Sequence, residues 1–234
     1  MFASAMIANA QIKQGTILYV RKIDVHRRMQ DEQMKAMVPQ FRTDKHELLF
    51  SDSVSVYRSV QENEAPDPFN NGGDQIMIRI GGPGEGGALY KNFSNQKLFE
   101  QTELGDKDYI IDDTIHAQPW KLVDETKTIL NHICKKATLK TESGNNVAAW
   151  YAEDILSPVG PENFGGLPGA VLLMDVNDGE IVFTATELKN EIDTKELKEP
   201  AKGKHITRAD FQKKMDELFG PATPDGRRVI RFNN

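Results

Sequence analysis

The sequence predicts a mainly β fold with minor α content (α+β). We expect a bent antiparallel sheet, an open half-barrel or a sandwich, covered by one or two helices. Apolar and polar residues alternate over short segments, and Asn, Asp and Gly turns separate these segments, which is typical of antiparallel strands. Only residues 27–38 and 207–219 favour helices.

The first sixty residues are predicted to form strands around one short helix. Residues 15–25 alternate as a strand does. Residues 27–38 contain strong helix formers and end before Pro39, which predicts a short helix. Residues 47–60 are rich in β-forming side chains and are interrupted by the polar residues 51–53, so they fit two strands or one hairpin.

A long irregular stretch separates these strands from the next group. Residues 61–75 are polar and rich in Pro, Asn and Gly, which predicts a flexible loop. A short strand is expected at 76–80 and a glycine-rich loop at 81–87. Apolar pairs between Asn and Asp residues predict further strands within 88–113.

The second half of the chain holds the clearest local signals. Residues 137–151 and 170–188 each alternate on both sides of a polar turn, which predicts two antiparallel hairpins. The second turn contains Asp178-Gly179, which supplies the positive φ that a tight hairpin needs. Residues 207–219 carry an apolar stripe behind the N-cap residue Thr207, which predicts a C-terminal helix.

The composition excludes several classes of protein. The chain has 234 residues, of which 38% are hydrophobic and 27% are charged, and this suits one globular domain. Its formal net charge of -6 repels phosphate groups, so we expect no nucleic-acid partner. Cys134 is the only cysteine, which excludes an intramolecular disulfide and an all-cysteine zinc site.

Residues 1–10 indicate secretion. They are small and apolar and end in Ala8-Asn9-Ala10, which fits the A-x-A pattern that signal peptidase cleaves. We interpret them as the remnant of a signal peptide, with an ordinary first strand or helix as the alternative. Residues 11–234 would then form a single periplasmic or secreted domain. No later apolar run approaches the ~20 residues that cross a bilayer, so no transmembrane segment is expected.

No pattern in the chain predicts an enzyme or a cofactor. Residues 82–87 match the G-x-G-x-x-G dinucleotide pattern, but no helical stripe follows them, so we interpret them as a flexible loop. No G-x-S-x-G nucleophile motif occurs. Neighbouring acidic residues on a strand point to opposite faces, which disfavours a pair of catalytic carboxylates.

His132 and Cys134 are the only candidate metal ligands. They lie two residues apart, so on a strand both side chains would project from one face, as in a copper or zinc site. Two ligands do not complete such a site. A buried, inert Cys134 is therefore the favoured interpretation.

Residues 120–186 resemble the GLPGLI family of secreted proteins from Gram-negative bacteria, which is named after its loop sequence. The resemblance is carried by five blocks, in this order along the chain: Trp120-Lys121-Leu122 with Glu125-Thr126-Lys127; Cys134-Lys135-Lys136-Ala137; Ala149-Trp150-Tyr151; Gly160-Pro161 with Phe164; and Gly165-Gly166-Leu167-Pro168-Gly169. Ala170-Val171 stand where the family name has Leu-Ile. The earlier segments Leu48-Leu49-Phe50 and Ser55-Val56-Tyr57 are also similar to the family. The resemblance implies an envelope location and no assigned activity.

The glycine-rich loop of that resemblance is the candidate binding site. Its glycines permit backbone angles closed to other residues, and Pro168 fixes φ between them. A structural corner beneath aromatic residues is the favoured interpretation, and the rim of an apolar groove is the alternative. The candidate ligand-binding residues are Trp150, Tyr151, Phe164, Gly165, Gly166, Leu167, Pro168 and Gly169.

The leading functional hypothesis is a non-catalytic binding or accessory protein. Its partner would be an apolar ligand, a peptide or an envelope protein, held on the concave face of the sheet. A copper- or zinc-handling protein that uses His132 and Cys134 is the alternative, and an uncharacterised hydrolase is the third hypothesis. The sequence leaves the oligomeric state open.

Overall fold

A computed structural model describes residues 11–60 and 87–221. The predicted signal-peptide remnant at 1–10, the loop at 61–75 and the strand at 76–80 lie outside the described residues. The same holds for the glycine-rich segment up to residue 86 and for the chain after residue 221.

The described residues form twelve strands and two α-helices. The strands are β1 (Gly15–Asp24), β2 (Phe41–Phe50), β3 (Val54–Ser59), β4 (Ala88–Asn92), β5 (Lys97–Leu104), β6 (Lys107–Thr114), β7 (Lys121–Ile129), β8 (His132–Lys140), β9 (Asn146–Ala152), β10 (Ala170–Val176), β11 (Ile181–Lys189) and β12 (Lys204–Thr207). The helices are α1 (Glu32–Met37) and α2 (Arg208–Phe219).

All twelve strands belong to one sheet, in the order β12-β6-β5-β4-β3-β2-β1-β11-β10-β9-β8-β7. Neighbouring strands are antiparallel, except that β12 runs parallel to β6. β1 lies in the middle, because it pairs with β2 on one side and with β11 on the other. β12 and β7 form separate edges, so the sheet is open. The predicted fold class is confirmed.

The two halves of the sheet share one hydrophobic core. Side chains from β1 to β5, such as Ile17, Phe50 and Leu89, pack in the same cluster as Tyr151 and Met174 from β9 and β10. The sheet therefore bends about its middle strands and encloses the face that carries these side chains, called the inner face below. The opposite surface is called the outer face.

The outer face of β3 to β6 is covered by the chain between β11 and β12. Leu197 packs against a cluster that includes Val56 and Ile110. Arg58 on β3 forms an ion pair with Glu196 of the same segment. This half of the outer face is therefore closed by the protein itself.

Helix α2 covers the end of the inner face, as the sequence predicts. Met215 packs with Ile111 and Ile206, and Phe211 contacts the same cluster. The Thr207 hydroxyl accepts a 3.1 Å hydrogen bond from the backbone N–H of Asp210, which confirms the predicted N-cap.

The helix predicted at 27–38 is shorter than expected. Residues Val25–Arg28 form one 3₁₀ turn, and α1 begins separately at Glu32. The Asp31 carboxylate accepts a 2.8 Å hydrogen bond from the Gln33 N–H and so caps a new helix. The strong helix formers in this segment are therefore not sufficient to make the 3₁₀ turn and α1 one continuous helix.

Within residues 11–60 and 87–221, none of the helices combines the length and the apolar character that crossing a bilayer requires.

Candidate functional site

A cluster of charged and polar side chains lies on the inner face, where the strand pattern would favour apolar residues. We call it the inner-face polar cluster. Its members are Arg21 on β1, Asp44 and His46 on β2, Tyr57 on β3, Lys91 on β4, and Glu162 in the loop between β9 and β10.

Arg21 is the hub of the inner-face polar cluster. Its guanidinium donates two hydrogen bonds to the two carboxylate oxygens of Asp44, from Nε at 2.8 Å and from Nη2 at 2.7 Å. Nη1 donates to Glu162 Oε1 at 3.2 Å. Arg21 is only 5% exposed, so water screens these contacts little.

His46 and Tyr57 lie beside this ion pair. His46 Nε2 is 2.9 Å from Asp44 Oδ1. The His46 imidazole and the Tyr57 ring stack in parallel, with centroids 5.1 Å apart. Burial acts to raise the pKa of Asp44, but the hydrogen bonds from His46 and Arg21 outweigh burial and hold that pKa well below its usual range. His46 Nδ1 and the Tyr57 hydroxyl are buried and find no hydrogen-bond partner among the described residues.

Lys91 connects β4 to the loop that crosses the inner face. Its Nζ donates a 2.8 Å hydrogen bond to the backbone carbonyl of Glu162. Burial lowers the pKa of Lys91 to about 7, although the nearby Glu162 carboxylate opposes this shift. Arg21, through the Glu162 carboxylate, and Lys91, through the Glu162 backbone carbonyl, therefore both fix this loop to the sheet.

The predicted glycine-rich loop forms a packed corner. A Cβ on Gly165 would lie 2.7 Å from the Pro158 carbonyl oxygen, and one on Gly169 would lie 2.1 Å from the Ala152 carbonyl oxygen. Gly166 has a φ of +80°, which favours glycine. Leu167 is buried, whereas Pro168 is exposed. The corner therefore needs glycine at 165 and 169 because a Cβ would clash with the backbone, and at 166 because of the positive φ.

Two aromatic residues hold that corner from the inner side. The Trp120 indole N–H donates a 2.9 Å hydrogen bond to the Gly165 carbonyl oxygen. Phe164 packs on Trp120 with ring centroids 6.4 Å apart. Trp120 is a neighbour of the loop that is not among the candidate ligand-binding residues, although the family-like block that begins with it is visible in the sequence.

Trp150 and Tyr151 do not line one surface. Successive residues of a strand point to opposite faces, and Tyr151 is 1% exposed within the inner core. Trp150 lies on the outer face, in a row of residues that are paired from strand to strand. The structure therefore separates Trp150 from the rest of the predicted site.

We call this surface the Trp150 patch. Its members are Val20 on β1, Thr184 on β11, Leu173 on β10, Trp150 on β9, Lys136 on β8 and Lys127 on β7. The amino groups of Lys127 and Lys136 lie 5.6 and 5.5 Å from the indole ring centroid. Trp150, Leu173 and Val20 stay partly exposed, in contrast to the covered outer face of β3 to β6.

The predicted metal ligands lie at the start of β8. His132 Nδ1 is 2.7 Å from Asp154 Oδ2, while the Cys134 thiol contacts the backbone carbonyl of His132 at 3.7 Å. Cys134 is fully buried, and burial raises the pKa of its thiol to about 11. In the described part of the chain, no three His, Cys, Asp or Glu side chains are placed to share a metal ion. The metal-handling hypothesis stays a prediction.

The hydrolase hypothesis requires a nucleophile beside a histidine that a carboxylate orients. In the described ranges, Thr114 and Asp113 both lie 3.4 Å from Nε2 of the exposed His116, so that one ring nitrogen cannot both activate the hydroxyl and be oriented by the carboxylate. His46, His132 and His205 each contact a carboxylate, from Asp44, Asp154 and Asp112 respectively. In residues 11–60 and 87–221, none of these three rings has a Ser, Thr or Cys side chain hydrogen-bonded to its other nitrogen. The hypothesis also stays a prediction.

An open pocket of about 470 Å³ lies between β12 and α2. Charged side chains of both signs line most of it, including Lys204, Lys213, Asp210 and Glu217. It lacks the apolar walls that are typical of a site for small organic ligands.

The fold is similar to that of PNGF-II, of which two crystal structures, in space groups C2 and P21, match. Each match has a TM-score of 0.58 and 16% sequence identity, and covers 86% of this chain but 32% of PNGF-II. This chain therefore spans about a third of the length of that protein. An uncharacterized conserved protein from Thermus thermophilus matches with a TM-score of 0.42 and 6% identity over 82% of this chain and 90% of its own.

Sequence comparison adds one family. No curated protein matches the chain. The GLPGLI resemblance stays a prediction, because these matches do not bear on it. Residues 88–218, more than half of the chain, match the model of the family described as "N-glycanase peptide, N-terminal domain". The chain belongs to this family.

Proposed function

We propose that this chain is a non-catalytic accessory domain that binds the carbohydrate chains of glycoproteins through the Trp150 patch. The family description names an N-glycanase, and PNGF-II is about three times as long as the part that this chain matches. In an enzyme that acts on N-glycans, a non-catalytic domain would contribute by binding the substrate that carries the glycan. We propose a periplasmic or secreted location for it, in line with the GLPGLI-like sequence.

The observation that carries the proposal is the partly exposed indole of Trp150 on the outer face of β9, beneath the amino groups of Lys127 and Lys136. The electron-rich face of an indole attracts the polarised C–H groups of a sugar ring. Leu173 and Thr184 follow Trp150 in register along the same row, and so extend the platform across three strands. Thr184 adds a hydroxyl group that can hydrogen-bond to a sugar.

The inner face supports the proposal by exclusion. The concave surface on which the sequence predicts an apolar ligand is filled by the protein's own side chains, including Phe50, Tyr151 and Leu167. The loop that carries Glu162 closes over it. The outer face of β9 to β11 is therefore the better candidate for contact with a large ligand.

The test is binding of the purified chain to an immobilised glycoprotein and to the same glycoprotein after enzymatic removal of its N-glycans. We expect binding to the first only, and at least a tenfold loss of affinity in Trp150→Ala. Leu122→Ala is the matched control, because Leu122 is an apolar side chain on β7 that is 65% exposed and lies outside the patch. Circular dichroism confirms that each variant is folded.

A second variant keeps the test informative if Trp150→Ala does not fold. Thr184 is exposed, so Thr184→Glu adds bulk and a negative charge to the platform without removing a packed side chain. We expect it to weaken binding as well. Equal binding to the glycosylated and deglycosylated proteins would overturn the proposal.

A further inference from the structure

We infer that the sugar bound by the Trp150 patch is acidic, with a carboxylate attached directly to its pyranose ring. This inference rests on the proposed function and specifies its ligand class. It follows from the charges around the indole, which differ from those of the chain as a whole.

The outer face around Trp150 is basic although the chain has a net charge of -6. The lysines on this face come from four strands: Lys22, Lys45, Lys121, Lys127 and Lys136. One acidic residue on β10 and one on β11 are engaged within the protein. Asp175 accepts a 2.6 Å hydrogen bond from the Gly179 N–H, and Glu187 pairs with Lys189 at 3.3 Å. Local positive charge attracts an anionic ligand.

Lys127 and Lys136 differ in how their charges are balanced. Lys136 Nζ donates to both carboxylate oxygens of Glu125 at 2.9 Å. Lys127 contacts the indole face, and no carboxylate pairs with it within residues 11–60 and 87–221. The amino group of Lys127 is therefore the cation beside Trp150 that lacks a counter-charge from the described protein.

The position of this amino group selects the ligand. A pyranose that stacks on Trp150 displaces the two amino groups from the face of the indole to its rim, because lysine side chains are flexible. A carboxylate on the sugar ring lies at that rim and pairs with Lys127. A neutral sugar displaces the same cation and offers no counter-charge, so the patch favours the acidic sugar.

The experiment compares three probes: a glycoprotein with sialylated N-glycans, the same glycoprotein after sialidase treatment, and an oligomer of uronic acids. We expect the wild-type chain to bind the sialylated glycoprotein at least tenfold more tightly than the sialidase-treated glycoprotein. Binding of the uronic-acid oligomer without binding of the sialylated glycoprotein would overturn the assignment of an N-glycan ligand. Raised salt should weaken this preference.

Two variants test the role of Lys127. Lys127→Gln should abolish the preference for the acidic probe and keep the weaker binding to the neutral glycan. Lys135→Gln is the matched control, because Lys135 lies on the opposite face of β8 and pairs with Glu153 at 2.8 Å. It should bind as the wild type does.

The outcomes separate the two proposals. Equal affinity for the neutral and acidic probes, or an unchanged preference in Lys127→Gln, would overturn the inference and leave the proposed function standing. Absence of binding to all three probes would overturn the proposed function itself.

Discussion

Lys91 on β4 and Glu162 in the loop between β9 and β10 are joined by a 2.8 Å hydrogen bond from Nζ to the backbone carbonyl, across 71 positions of the chain. The amino group is buried, and burial disfavours its positively charged form. Burial of this amino group makes the stability of the fold depend on pH.

The first prediction concerns the pH dependence of unfolding. The ordinary pKa of a lysine is 10.5, and burial lowers that of Lys91 to about 7. Between these values the unfolded chain binds a proton that the folded chain has released, so Lys91 makes stability rise with pH, by up to about 1.4 kcal/mol per unit. Below pH 7 both states are protonated, and this dependence vanishes.

Lys91→Met should remove that rise. Urea unfolding of the wild type and the variant at pH 7, 8 and 9 measures it. We expect the free energy of unfolding of the wild type to increase relative to that of the variant over this range. Parallel curves for the two proteins would show that Lys91 keeps an ordinary pKa in the folded state.

The second prediction concerns the buried ion pair of Arg21 and Asp44. Arg21→Met leaves the Asp44 carboxylate buried without its bidentate partner, which should cost roughly 3–5 kcal/mol of stability. Asp44→Asn in the Arg21→Met background should recover part of this loss, because it removes the unpaired charge. Thermal or urea unfolding measures both effects.

An exposed ion pair provides the control for Arg21. Arg28 contacts Glu180 at 2.8 Å, but its side chain is 47% exposed, so Arg28→Met should cost less than about 1 kcal/mol. Equal losses in Arg21→Met and Arg28→Met would contradict the assignment of Arg21 as the hub of the inner-face polar cluster.

The third prediction separates two glycines of the corner loop. Gly166 has open space at its Cβ position, so Gly166→Ala should cost only the strain of a positive φ, about 1–2 kcal/mol. Gly169→Ala should cost more, because its Cβ would meet the Ala152 carbonyl oxygen at 2.1 Å and force the backbone to shift. Denaturant unfolding ranks the two variants, and the reverse order would refute this packing.

The fourth prediction concerns the reactivity of Cys134. A thiol with a pKa of about 11 is roughly one part in a thousand thiolate at pH 8, and it is also buried. A thiol reagent should therefore modify the unfolded chain at once and the folded chain only as fast as it unfolds. Ser143→Cys in a Cys134→Ala background places a thiol in an exposed turn and should react immediately. Fast labelling of native Cys134 would contradict its burial.

Local signals predicted the elements whose geometry is set by neighbouring residues. The hairpin at Asn177 to Gly179 forms because each of these three residues adopts a positive φ, and the cap of α2 forms because Thr207 precedes a suitable stripe. Strand β7 carries no comparable signal. Most of its residues are exposed, and it is held by pairing with β8 at the edge of the sheet.

The inner-face polar cluster could be predicted only in part. Arg21 and His46 lie on β1 and β2, at positions that the alternation along each strand assigns to the inner face. A charged side chain at such a position needs a buried partner. The sequence does not show that this partner is Glu162, which lies 141 positions from Arg21. By contrast, alternation along the strand predicted up to residue 151 already implies that Trp150 and Tyr151 face opposite ways, and the structure adds that Tyr151 takes the buried side.

The central position of β1 determines when the fold can be completed. β2 to β6 follow one another as neighbours, and so do β7 to β11, so each group can assemble from nearby segments. Thr16 on β1, however, is aligned with Lys189 on β11. Until β11 has emerged, one side of β1 has unpaired backbone groups that can join a strand of another molecule. A growing chain is therefore most prone to aggregation at β1, and a chaperone that shields this strand would have the greatest effect on yield.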